Sequence, residues 1–247
     1  MRTFASLALI AISATFASAA PVTQWSFDNL AIGVNNSPSI VLGTGTAIPL
    51  GLTNNLTTPA SVTQADVLVN AGSSNPAATN QSWRLRGAGT GSGNGWAITA
   101  PQYTQGAQFS TSTAGFQNIV LTYDWSPTTQ GVKHQQAQYS TDGSTWTNVG
   151  PLRVGPASEA WVNNLTVDMT SIAGVNDNPL FGVRIVSAFA PDGANAGSYN
   201  NLSGAIINGT SGNWRIDSIL VSGDVIPEPT TLGLIAAAGF VALRRRK

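Results

Sequence analysis

The side chains able to do chemistry are few. Between Ala20 and Ile226 the chain holds nine aspartates, Glu159, one histidine (His134) and no cysteine. Without cysteine there is no disulfide, no thiolate nucleophile and no Cys-based zinc site. One histidine alone lacks the usual zinc ligand set. A catalytic histidine would need a positioned nucleophile and an orienting carboxylate, and no GxSxG elbow occurs. His134, in "VKHQQAQYS", therefore reads as a half-exposed structural residue on a strand. The carboxylates remain. Two of them facing across a sugar at a defined separation would make a glycosidase, so a secreted glycan-acting hydrolase is the enzymatic alternative. Asp28, after "WSF", and Asp217, in "WRID", fall on the first and last strand patterns. Terminal strands often adjoin in sandwiches, and calcium takes oxygen ligands. These two are thus candidates for a structural Ca2+ site, the only cofactor expected, in competition with plain surface solvation because no DxDxDG-type loop is present.

The aromatic residues offer a second kind of chemistry. Seven tryptophans are present, of which Trp25, Trp125 and Trp214 sit in alternating patterns that place them in a core. Trp96 follows a glycine-rich loop and Trp161 opens a strand. An exposed indole can stack on a sugar ring while neighbouring amides bond its hydroxyls, which makes Trp96 and Trp161 the candidate ligand-binding residues. Ala20 to Ile226 carries six bases against ten acids, a net charge of −4. Nucleic acid, whose binding needs Lys and Arg on phosphates, is not an expected partner.

The elements that must position these groups are strands. Lys and Glu are scarce, while Gly, Asn, Ser and Thr are abundant. In "QNIVLTYDW" Ile119, Leu121, Tyr123 and Trp125 share one face; in "FGVRIVSAF" Phe181, Val183, Ile185 and Phe189 oppose Arg184; in "NWRIDSILVSG" Trp214, Ile216 and Leu220 oppose Arg215 and Asp217. Shorter strands are expected from Val22, Ser82, Lys133, Thr145 and Trp161. Segment 60–72, "ASVTQADVLVNAG", fits a helical turn or a strand. Period-two runs separated by Gly, Asn and Pro clusters predict an all-β antiparallel sandwich, jelly-roll-like, as one domain over residues 20–224.

In "YSTDGSTW", Tyr139 to Trp146, Asp142-Gly143 predicts a hairpin, since Gly supplies positive φ and Asp bonds nearby backbone N–H groups. The stretch resembles the Asp-box turn of β-propeller sialidases, but it is one residue short of that pattern and occurs once, whereas propellers repeat. It is more similar to hairpins of exported bacterial β-sandwich domains, which implies a structural turn.

The two ends carry an address. Residues 1–19 combine Arg2, an apolar run from Phe4 to Phe16 and Ala17-x-Ala19, the pattern of a signal peptide cut after Ala19. Residues 225–247 form a separate segment: Pro227-Glu228-Pro229, an apolar stretch over 230–243 and a basic stop, Arg244, Arg245, Arg246 and Lys247. As a helix that stretch would be about 21 Å long against a hydrocarbon core of about 30 Å, short for a permanent span. These three parts in this order resemble the PEP-CTERM sorting signal. The resemblance implies a transmembrane helix used as an inner-membrane intermediate, basic end in the cytoplasm. It implies recognition of Pro227, Glu228 and Pro229 by an exosortase, after signal peptidase has acted. Delivery to the cell surface or extracellular matrix of a Gram-negative-type bacterium would follow, in the setting of exopolysaccharide and biofilm. The expected function is a non-enzymatic surface or matrix protein that binds extracellular polysaccharide; the alternatives are the hydrolase and a purely structural matrix component.

Overall fold

The computed structural model describes residues 19–51, 66–69, 72–74, 81–86 and 95–227. The expected signal peptide up to residue 18, Glu228, Pro229 and the basic stop Arg244 to Lys247 lie outside the described residues, as does the apolar stretch between them. Among the described residues no helix is long and apolar enough to cross a membrane.

Twelve strands follow in chain order: β1 (Ala20–Trp25), β2 (Gly33–Val34), β3 (Gly45–Leu50), β4 (Asp66–Val69), β5 (Gln81–Leu85), β6 (Gly106–Thr111), β7 (Phe116–Pro127), β8 (His134–Ser140), β9 (Thr147–Val154), β10 (Val162–Asp168), β11 (Gly182–Ser187) and β12 (Trp214–Val225). They form two antiparallel sheets. One has the order β10-β7-β12-β5-β4-β2, with β1 pairing β12 as well; the other runs β3-β6-β11-β8-β9. The fold is thus the antiparallel β-sandwich that the period-two patterns predict, and the open segment around residue 66 contributes a strand.

Alternation decides which side chains meet between the sheets. Ile119, Leu121, Tyr123 and Trp125 of β7 all point into the core, as do Phe181, Val183 and Ile185 around β11. Aromatic rings dominate the filling: Trp25 packs on Phe109 at 5.1 Å between centroids, Phe27 on Trp83 at 5.7 Å, and Trp214 on both Trp96 and Trp125 at 4.6 and 5.4 Å. Such rings bury large apolar areas and gain further from tilted and edge contacts. A polar rivet joins the layers, since the Tyr123 hydroxyl of β7 donates to Gln135 Oε1 of β8 at 2.9 Å.

In β12 the alternation changes phase. Ser218 takes φ = 51° and the register with β7 shifts between Asp217 and Leu220, the mark of a β-bulge. Ile219 and Val221 therefore enter the core, and Leu220, expected inward, is half-buried on the other face. The extra residue turns what strict alternation predicts by one position.

The Asp142-Gly143 hairpin joins β8 to β9 as expected. Asp142 Oδ1 accepts from the Ser144 and Thr145 N–H groups at 2.8 and 2.6 Å, and Gly143 has φ = 74°. Those bonds hold the Asp142 carboxyl well below the usual carboxylate range.

Candidate functional site

The outer face of the five-stranded sheet carries one polar row, with one residue from each strand. Register places Ile48 of β3 beside Gln108 of β6, Gln108 beside Arg184 of β11, Arg184 beside Gln138 of β8, and Gln138 beside Asn148 of β9. At the usual strand spacing the four polar members span about 14 Å. Their side chains are already linked. Arg184 donates from Nε and Nη2 to Gln108 Oε1 at 2.9 and 2.8 Å, and Gln138 Nε2 donates to Asn148 Oδ1 at 2.9 Å. The row keeps donors for an outside partner: Nη1 of Arg184 and the Asn148 amide nitrogen. Gln138 is buried and braces Asn148, while Gln108 and Arg184 are half-buried and Asn148 and Ile48 are exposed.

Trp146 lies over the middle of this row. The hairpin returns the chain there, and the Arg184 guanidinium carbon is 3.8 Å from the indole centroid, a cation–π contact. Burial beneath the ring lowers the guanidinium pKa from its ordinary value. The half-buried ring rests on Gly182, where an added Cβ would come within 2.9 Å of the indole. Gly182 is therefore what lets the indole lie flat against the sheet. On the side of Trp146 toward Thr46, Ser110, Gly143 and Leu180, a cavity of about 320 Å³ opens. A second, of about 300 Å³, lies at the far end of β8 between His134, Asp192 and Asn195.

His134 is buried rather than half-exposed. Its Nδ1 has no hydrogen-bond partner, and burial together with the nearby Lys133 charge lowers its pKa, opposed by Asp192. The strand was readable from sequence, but the cover over it comes from the 190–204 loop.

On the outer face of the other sheet the structure brings together carboxylates distant in sequence. Asp124 of β7 and Asp217 of β12 are cross-strand partners, both fully buried. Asp124 accepts from Ser74 N and Oγ at 2.6 and 2.7 Å and from Asn164 N at 2.7 Å. Asp217 accepts from Ser73 Oγ and its neighbour Ser218 N, both at 2.6 Å. Asp28, in the turn after β1, accepts from Gln81 N at 3.3 Å. Burial, with contributions from Asp28 and Asp124, pushes the Asp217 carboxyl up to about 7 against the hydrogen bonds that lower it. Asp28 and Asp217 are thus within electrostatic reach of each other, and Asp124 is the member of this group that sequence reasoning missed. The Asp124–Asp217 pair is sealed under the 72–74 segment, so it does not face across a cleft as a hydrolase pair would.

The two candidate tryptophans part company. Trp96 is fully buried and packed on Trp214, so it cannot stack on a ligand; the glycine-rich segment before it suggested a loop tip, but Gly95 tucks against Ser211 and carries the indole inward. Trp161 is half-buried against Gly72, on the side of the sandwich away from the polar row, and helps seat the segment that covers the aspartates. Trp146 and its row went unread, although the alternating amides of "KHQQAQYS" were a signal for a polar strand face.

No family model and no curated protein matches the chain. Among solved structures it is similar to the K2 cleaved adhesin domain of Lys-gingipain (13% identity, covering 81% of this chain and 96% of that one, TM-score 0.41). It is also similar to a xylan-binding domain from CBM 22 (14%, 84% and 97%, TM-score 0.39). A third is the N-terminal cellulose-binding domain of Cellulomonas fimi β-1,4-glucanase C (10%, 83% and 90%, TM-score 0.27). At these values, what this chain binds has to be read from its own residues.

Proposed function

We propose that this protein is an exported, non-enzymatic glycan-binding β-sandwich that takes polysaccharide on the outer face of its five-stranded sheet. The observation that supports this is the row Gln108, Arg184, Gln138, Asn148 under the Trp146 ring. Amides and a guanidinium held in one line offer paired donors and acceptors at the height of a sheet surface, and an indole beside them offers an apolar plate. Sugar rings need both, since they are hydroxylated at the edge and apolar on the face. Prior bonding within the row fixes the side chains, so less rotamer freedom is lost on binding.

Export and sorting belong to the same reading. Ile226 N–H donates to Gly115 O at 2.8 Å, and Pro227 is exposed immediately beyond. That Pro227, the first residue of the motif, is exposed just past this hydrogen bond supports the reading that an exosortase-type enzyme engages the chain from there.

The test is affinity electrophoresis of the mature protein in gels containing soluble xylan, β-glucan or alginate. Retardation by at least one of them, lost in Trp146→Ala, is the expected result. No retardation in any gel, or retardation unchanged by Trp146→Ala, would overturn the reading.

A further inference from the structure

The fork between β1 and β5 along β12 has an unusual electrostatic composition. β12 pairs with β5 over Trp214–Ile216 and with β1 over Ile219–Gly223. Between the two stretches lie Asp217 and the bulge residue Ser218. Asp28 approaches from the end of β1, Asp124 from β7 on the opposite side, and all three carboxylates are buried. Carboxylates buried side by side need protonation, hydrogen-bond donors or a bound cation to offset their desolvation.

A second observation comes from β5. Ser82 follows the pairing of Trp83 with Ile216, so its side chain lies on the outer face beside Asp217. It is fully buried, and its Oγ has no hydrogen-bond partner. Buried hydroxyls are normally satisfied, and one that is not calls for a missing partner. The adjoining Gln81, whose N–H holds Asp28, is also buried with Oε1 unpartnered. Oxygen donors thus gather at the fork: carboxylates from three elements and the Ser82 hydroxyl.

We infer that the fork between β1, β5, β7 and β12 is a calcium site, with Asp28, Asp124, Asp217 and Ser82 as its ligands. Calcium fits an all-oxygen, irregular shell drawn from several strands better than magnesium, which demands a regular octahedron and keeps its waters. Among the described residues, no group of three or more His, Cys, Asp or Glu side chains is already arranged to hold a metal ion. Binding would therefore have to draw the carboxylates together, with hydroxyl and backbone oxygens completing the shell. The serines now on Asp124 and Asp217, Ser74 and Ser73, would release oxygens as the ion enters. This inference is independent of the glycan-binding reading, because it lies on the opposite sheet.

The experiment is isothermal titration of EDTA-stripped mature protein with CaCl2, paired with thermal melting in EDTA, CaCl2 or MgCl2. One calcium per chain, with a melting temperature that rises with calcium and not with magnesium, is expected. Asp217→Asn should abolish the heat of binding and the shift. Should that variant fail to melt cooperatively, Ser82→Ala, which removes a single hydroxyl, decides the matter with an expected loss of about tenfold or more in calcium affinity. No heat and no shift with calcium in the wild type, an equal shift with magnesium, or calcium affinity unchanged in Ser82→Ala would each overturn the assignment.

Discussion

Trp96 and Trp146 do separate jobs, one packed on Trp214 in the core and the other laid over Arg184 on the outer face of a sheet. Trp96 follows glycines yet fills the core, while Trp146 closes a turn and lies on the surface. Truncating each separates the two jobs. Trp96→Ala removes a ring packed on Trp214 and should cost about 3–5 kcal/mol of stability, read from denaturant melts. Trp146→Ala should leave the midpoint nearly unchanged while weakening glycan binding by ~2 kcal/mol, the order of a buried aromatic anchor. His134 gives a pH signature. Its pKa is lowered in the folded state, so the unfolded chain takes the proton first as pH falls. Its contribution is complete above the unfolded value of about 6.5 and is lost as pH drops below it. His134→Gln should flatten this part of the stability profile, measured by urea titration between pH 5 and pH 8 at roughly half-unit steps.

At the scale of elements, what strict alternation reveals is a strand with one apolar face, whatever its length. β7, β11 and the first half of β12 were legible because one face is wholly apolar. β3 and β6 were not: β3 carries Pro49 and lies at a sheet edge, where a missing N–H is tolerated, and "GAQFST" has only three inward residues. The bulge at Ser218 was invisible for a different reason, since nothing in "IDSILV" announces a positive φ. Asp217 itself keeps the regular register, paired with Asp124 immediately before the shift. Ser218→Val should be destabilising by ~1–2 kcal/mol, because a β-branched residue suits that conformation poorly, whereas Ser218→Gly should be neutral or stabilising. Gly182→Ala tests the other face. The added methyl meets a rigid ring, so loss of glycan binding with the fold retained, seen by circular dichroism and gel retardation together, is the outcome expected.

For the whole molecule, the sandwich was readable and the polar row was not. Fold class follows from local periodicity, which each segment carries alone. The row is assembled from β6, β11, β8 and β9, whose register is settled by packing, and Gln108, Arg184, Gln138 and Asn148 are separated in sequence by other strands. That Asp28 and Asp217 would lie within electrostatic reach was legible because terminal strands so often adjoin, as β1 and β12 do here. The sorting reading is tested on intact protein from its native host. Wild type should lack the mass following the Pro-Glu-Pro motif, while Glu228→Ala should retain Lys247; a retained Lys247 in both would make the tail a plain membrane anchor.

The place of β12 in its sheet also has a mechanical meaning. The strand that leads to Pro227 is bonded to β7 along most of its length on one side and to β5 and β1 on the other. A cell-surface tether attached beyond it would pull lengthwise on an interior strand while a glycan on the opposite sheet held the domain back. The hydrogen bonds on both flanks would then share the load in shear instead of breaking one after another, as they would for a peeled edge strand. Under the proposed tethering and glycan binding, a protein held by this end would resist being unzipped by a moving polymer.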